Sequence, residues 1–134
     1  MTRKMKHLLL LSTLLFTVTI SSPSHAEWKM VYPDSFGGGT YVDVEGVKKD
    51  GEYVYFWQLT DLSRPYKNTE FLSLKIYFQS DCGVYVRGAK PLDISFHKER
   101  MGGGTGVNQK PPDQWQIATP DSIMWRVIGA ACGE

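Results

Sequence analysis

The sequence predicts an α+β fold: an antiparallel β-sheet of about six strands, with a C-terminal α-helix packed on one face and tethered to it by a disulfide. Three observations lead there. The stretch Phe71 to Cys82 alternates with a period of two, with Leu72, Leu74, Ile76, Phe78, Ser80 and Cys82 pointing one way and Phe71, Ser73, Lys75, Tyr77, Gln79 and Asp81 the other. The last residues carry an apolar stripe with a helical period, and each of these two elements offers a cysteine from its apolar side. A strand with one apolar and one polar face belongs half-buried in an antiparallel sheet.

Residues 1–26 read as a signal peptide and 27–134 as one domain. Arg3, Lys4 and Lys6 make a basic start, and Leu8 to Ile20 is an apolar run of 13 residues. Ser21 to Ala26 is a small, polar end in which Ser24 and Ala26 have the spacing that signal peptidases accept. As a helix the run spans roughly 20 Å, short of the hydrocarbon core, so cleavage after Ala26 is expected and no stable membrane span after it. No cysteine follows the run, so no lipid attachment of the bacterial lipoprotein kind is expected. The leader removes three of the 15 basic residues, leaving 12 against 14 acidic ones, a net charge of −2 with histidine neutral. A weakly acidic domain without a basic block does not suit nucleic-acid binding.

Along the mature chain, Trp28 to Tyr32 alternates and stops at Pro33, an opening strand; Asp34 to Gly39 is turn chemistry, and Thr40 to Val44 a second short strand. Asp50-Gly51 is the favoured centre of a two-residue type I′ turn between Val47-Lys48-Lys49 and Glu52-Tyr53-Val54. The outgoing strand places Tyr53, Tyr55, Trp57 and Leu59 on one face and Val54, Phe56, Gln58 and Thr60 on the other. Its aromatic run reads as core and sheet packing in preference to a binding platform. Leu62 to Glu70 is a polar loop around Pro65. After Cys82, Gly83 gives a turn and Val84 to Arg87 starts another strand. Gly88 and Pro91 signal a bulge or an edge before Leu92, Ile94 and Phe96 alternate with Asp93, Ser95 and His97. Met101 to Gln114 reads as a flexible loop.

The helix should begin at Thr119-Pro120-Asp121, a capping hydroxyl, a proline at the first helical position and a carboxylate near the positive dipole end. Ile123, Val127 and Ala131, with Met124, Ile128 and Cys132, form one apolar stripe, and Gly133 stands where a helix favours glycine at its end. Cys82 and Cys132 are the only cysteines, and an oxidising compartment favours their pairing. The bridge then ties helix to sheet.

Little points to catalysis, and no catalytic residue, metal or cofactor is expected. The mature chain has one histidine, His97, read as a surface residue near a strand end, and no G-x-S-x-G elbow accompanies it. One histidine and two bridged cysteines cannot make a zinc site. Gly102 to Gly106 lacks the Gly-Lys-Ser/Thr ending of a phosphate loop. What remains is a surface. Arg64, Tyr66 and Lys67 precede the patterned strand, and Lys75, Arg87 and Lys90 lie on or after it, a candidate ligand-binding patch. Exposed sheet edges offer a second mode, strand addition to a partner or to another copy of the chain.

The order of several short motifs resembles the surface-adhesin protein E family of Gram-negative bacteria. They are T-Y-V-D at Thr40 to Asp43, K-D-G-E-Y-V at Lys49 to Val54, W-Q-L-T-D at Trp57 to Asp61, Asp81-Cys82, Gly102-Gly103-Gly104, Trp115, Thr119-Pro120-Asp121-Ser122 and Cys132. The resemblance implies an antiparallel sheet with a disulfide-tethered helix. It also implies a protein partner, host matrix or plasma proteins such as vitronectin and laminin, and a candidate homodimer. The contact region would lie around the first cysteine, Arg64 to Lys90. The chain departs from the family's lipoprotein pattern in lacking a lipidated cysteine, so a soluble periplasmic accessory role, with an envelope protein as partner, stands beside adhesion.

Overall fold

The structure, a computed structural model, describes residues 26–134; all of the expected signal peptide except Ala26 lies outside them. Eight strands follow one another before a single helix: β1 (Trp28–Pro33), β2 (Gly39–Asp43), β3 (Lys48–Asp50), β4 (Tyr53–Asp61), β5 (Ser73–Asp81), β6 (Arg87–His97), β7 (Gly106–Gln109), β8 (Gln116–Ala118) and α1 (Ile123–Ala131). They form one antiparallel sheet in the order β1-β2-β4-β5-β6-β7, with β3 added to β4 and β8 to β6. The patterned strand β5 is central, paired along its whole length with β4 and along most of it with β6.

Alternation sorts the strand side chains onto two faces. On one, Val42, Val54, Phe56, Phe78, Ala89 and Ala118 meet Val127, Ile128 and Ala131 of α1 and form the core. The rings of Phe56 and Phe78, cross-strand partners, are 5.7 Å apart. Removing each such side chain from water contributes about 2 kcal/mol. The expected apolar face of β5 therefore holds at its far end. Leu74 and Ile76 are only half-buried, because nine helical residues span about 13 Å, roughly half the length of the strands they cover. Cys82 itself is exposed, not buried. It lies just past the end of β5, at the rim, where it bonds Cys132 across a Cα–Cα distance of 5.8 Å.

Several local expectations are corrected. In the β3–β4 hairpin Asp50 pairs with Tyr53, so Gly51-Glu52 is the turn and Gly51 alone has positive φ (63°), the type II′ arrangement. Type I′ would have forced Asp50 into the left-handed region as well, which costs a non-glycine residue about 1–2 kcal/mol. Val84 to Val86 is not strand but an exposed loop, with Tyr85 at 91% exposure, and β6 begins at Arg87. The bulge expected near Pro91 is present as one register irregularity at Leu92, opposite Tyr77 and Phe78, which turns Leu92 outward. The glycine-rich segment is not structureless. It contains a 3-10 turn at Arg100–Gly102 and the edge strand β7, and β8 follows it.

The helix begins three residues later than expected. Asp121 has φ of 67°, which breaks the helical path, and the Ser122 hydroxyl accepts from the Trp125 amide at 3.1 Å as the true cap. At the other end Gly133 behaves as expected. With φ of 87° it lets the amides of Gly133 and Glu134 donate to the Ala130 and Gly129 carbonyls, a Schellman closure.

The bridge closes a loop over a sequence separation of 50 residues, and in the chain-entropy account that stabilises by about 4 kcal/mol. Cys82→Ser should lower the melting temperature by on the order of 10 °C or more, read by circular dichroism with and without reductant. Identical melting curves would show that the bridge does not hold the fold.

Candidate interaction surface

Asp61 ends β4 and is 4% exposed. A carboxylate so placed must be fully hydrogen-bonded, since unpaired burial of a charge is costly. It accepts from Arg100 Nε at 3.1 Å, Arg100 Nη2 at 2.6 Å and the Met101 amide at 2.8 Å. Arg100 Nη2 also reaches the Gly37 carbonyl at 2.8 Å. Next to Asp61 in the register stands Ser73, fully buried, and next to Ser73 stands His97. The Ser73 hydroxyl donates to the Glu99 carbonyl at 2.6 Å and accepts from the Gly102 amide at 2.8 Å. The row thus ties the Asp34–Gly38 turn, the end of β4 and the 3-10 turn together.

An aspartate, a serine and a histidine side by side invite comparison with a catalytic triad. The hydrogen bonds exclude it. Asp61 is engaged by Arg100, Ser73 by backbone groups, and His97 Nε2 lies 2.9 Å from the Ser95 hydroxyl instead. His97 is 8% exposed, not the surface residue expected, because β7 and the glycines before it fold over the ring. Its Nδ1 has no well-aligned hydrogen-bond partner among the described residues. Burial pushes its pKa down, the Lys75 charge adds to that, and the Gly104 backbone opposes it. Among the described residues no group of three or more His, Cys, Asp or Glu side chains is placed to hold a metal ion.

Around this buried row lie exposed loops. Phe36 is 69% exposed and the Arg64 guanidinium stacks 5.5 Å from its ring centre. Lys67 and Asn68 both have positive φ, and the Thr69 amide donates to the Tyr66 carbonyl at 2.8 Å, a type I′ turn that presents Lys67 Nζ 5.3 Å from the Tyr66 ring. Tyr66 in turn packs on Phe96, 6.0 Å between centroids. Lys98 pairs with Glu70 at 3.0 Å.

The six residues singled out in sequence do not form one patch. Arg64, Tyr66 and Lys67 share this loop end. Lys75 is half-buried on the helix-free face, and Lys90 lies at the other end of β5, about 27 Å away by strand length. There it pairs with Asp113 and holds that carboxyl below its ordinary range. Arg87 is 4% exposed. Its Nε donates to the Gly83 carbonyl at 2.8 Å, its Nη1 to the Trp125 carbonyl at 3.3 Å, and its Nη2 to Glu134. The guanidinium lies 4.2 Å over the Trp125 ring. Arg87 is a clamp between hairpin and helix, not free surface. Sequence reading missed Phe36, Asp61 and Arg100 as organisers of the loop end. Asp61 closes the Trp57–Asp61 motif, but its partner Arg100 is 39 positions away and no local pattern joins them.

The described residues thus make a single antiparallel sheet with one tethered helix and a buried polar row that fastens its loops. The sequence profile described as surface-adhesin protein E matches residues 28–133, and the chain belongs to that family. It is an adhesin-type protein. Among solved structures it is similar to Haemophilus influenzae protein E, with 17% identity, a TM-score of 0.54 and coverage of 86% of this chain and 90% of that one. A selenomethionine form of the same protein gives 17% identity, a TM-score of 0.55 and coverage of 84% and 92%. At that identity the likeness is one of fold. No curated protein sequence matches the chain.

Two outcomes follow from this geometry. Arg87→Ala should destabilise by about 2 kcal/mol, because it strips hydrogen bonds from two carbonyls and the stacking from Trp125; a urea midpoint equal to wild type would refute the clamp. For His97, folding favours the neutral ring, so the unfolded chain takes up the proton more readily. Stability is complete above the ordinary histidine value, about 6.5, and falls as the pH drops below it, levelling only under the lowered folded value. His97→Gln should flatten that decline in urea titrations between about pH 7.5 and 5.

Proposed function

We propose that the protein is an exported, non-enzymatic adhesin of the protein E type that binds a protein partner through the loop end held by Asp61. Cleavage after Ala26 would release residues 27–134 outside the cytoplasm, and no helix among the described residues is long and apolar enough to cross a membrane. The observation that carries the reading is the pair of exposed cation–ring contacts, Arg64 on Phe36 and Lys67 on Tyr66, on loops fastened from below. Arginine and aromatic side chains already ordered before contact lose little entropy on binding, and such residues dominate protein interfaces. Host extracellular-matrix and plasma proteins, vitronectin and laminin among them, are the partner class that membership of the family suggests. The uncovered edges β1 and β7 leave homodimerisation by strand addition as a second use of the surface.

In a solid-phase assay on immobilised vitronectin and laminin, the double variant Arg64→Ala/Lys67→Ala should bind about tenfold more weakly than wild type, with an unchanged melting temperature. Equal binding would discard this surface. Surface labelling of intact cells is the companion measurement: protein confined to the periplasm would favour the accessory role over adhesion.

A further inference from the structure

The two faces of the sheet differ in the kind of ring they carry. On the side of α1 the strand aromatics are Phe56, Phe78 and Phe96 and, at the β1 edge, Tyr32, over whose ring Arg126 of the helix lies. On the opposite face every strand aromatic is a tyrosine or tryptophan. Tyr53, Tyr55 and Trp57 follow one another on β4, Tyr77 stands across from Trp57 on β5, and Tyr41 lies on β2. Trp115, 40% exposed, packs against Tyr53 with centroids 5.6 Å apart. The rings form a connected series, with Trp57 to Tyr77 at 4.9 Å and Tyr77 to Tyr55 at 6.4 Å, the latter stacked. The 3-10 turn covers the Leu59–Lys75 end of this face, and the rings beyond it are half-buried.

We propose that this face is a binding platform for an uncharged, hydroxyl-rich glycan chain. The first reason is composition. A face meant for a protein core or a lipid surface would be mostly leucine, isoleucine or methionine, whereas here the aliphatic Leu59 is fully buried, Met30 is exposed only at the β1 edge, and the rings between are those with a polar tip. The flat faces of such rings suit the C–H faces of sugar rings, while their hydroxyl and indole groups suit sugar hydroxyls. Spacing is the second reason. Alternate residues of a strand stand about 7 Å apart, so Tyr53, Tyr55 and Trp57 form a row with a step on the scale of one sugar unit. Charge is the third. Lys48, Lys75, Gln79, Asp50, Asp81 and Asp93 flank the rings by register, and Lys90 is paired with Asp113. With two lysines against three aspartates beside that pair, this mixture of donors and acceptors has no positive excess, unlike the basic groove that a nucleic-acid strand requires. The platform lies apart from the Arg64–Lys67 loops, so the two sites can fail independently.

The test is isothermal titration with the β-linked hexasaccharides of glucose, of N-acetylglucosamine and of galactose, with an oligothymidine of similar length alongside. Wild type should bind at least one hexasaccharide, with quenching or enhancement of tryptophan fluorescence, and should ignore the oligothymidine. Trp57→Ala and Tyr77→Ala should each weaken binding at least tenfold, Tyr55→Phe, which keeps the ring but loses its hydroxyl, should weaken it less, and Arg64→Ala/Lys67→Ala should leave it unchanged. Melting curves matching wild type show that the alanine variants fold; if they do not, Trp57→Phe and Tyr77→Phe at wild-type stability carry the comparison, with an intermediate loss expected at Trp57. No binding of any hexasaccharide, binding of oligothymidine alone, or affinities unaffected by Trp57 and Tyr77 substitution would overturn the proposal.

Discussion

A nine-residue helix does not persist in water, since its nucleation cost exceeds what so few hydrogen bonds return. Helix α1 exists because its Val127, Ile128 and Ala131 are held against Val42, Val54, Phe56 and Phe78. Two links hold it there. Cys82–Cys132 joins the rim of the central strand to the last turn. Arg87 reaches from β6 to the Trp125 carbonyl and to Glu134 while lying on the Trp125 ring. Gly129 makes room for the second link, because a Cβ there would stand 2.7 Å from Glu134 Oε2 and 3.1 Å from Arg87 Nη1. Both links sit at the same end of the sheet, so that end is rigid and closed.

The opposite end is organised by different means. Among the described residues it has no covalent tie, and its loops are fastened by Asp61, Ser73 and the backbone of the 3-10 turn. A buried carboxylate with three donors stabilises one arrangement and penalises any other that leaves it short of partners. The surface loops can therefore differ in sequence while their attachment remains the same. The division gives the molecule a packed end, a fastened loop end and an open ring-lined face, three surfaces with three different chemistries.

Much of this was legible in the residues. The alternation in Phe71–Cys82 marks the central strand because one of its faces is buried, and the four-residue recurrence from Ile123 marks the helix for the same reason. What escaped reading lacks such a contrast. G-V-N-Q of β7 is exposed at every position, and only the hydrogen bonds of the β6 edge make it a strand. Thr119 and Ser122 are both capping residues, and only the left-handed Asp121 between them decides for Ser122. Arg87 and His97 read as surface residues because charge and polarity usually mean exposure. Their burial depends on partners that come together only on folding; the Trp125 carbonyl is 38 positions from Arg87. The ring-lined face was legible as alternation in β4, and the apolar, cysteine-bearing face of Phe71–Cys82 marked the side that the helix covers.

The tethered helix also imposes an order of events. It follows every strand in sequence, yet it touches β1 and β2 at the start of the described chain, so the core cannot close until the strands and the helix have all become available. Contacts of such long range slow folding and leave the intermediate soft. The covalent link forms only where thiols are oxidised. Completion of the chain and an oxidising environment thus become joint conditions for maturation, and until both are met the polypeptide stays pliable.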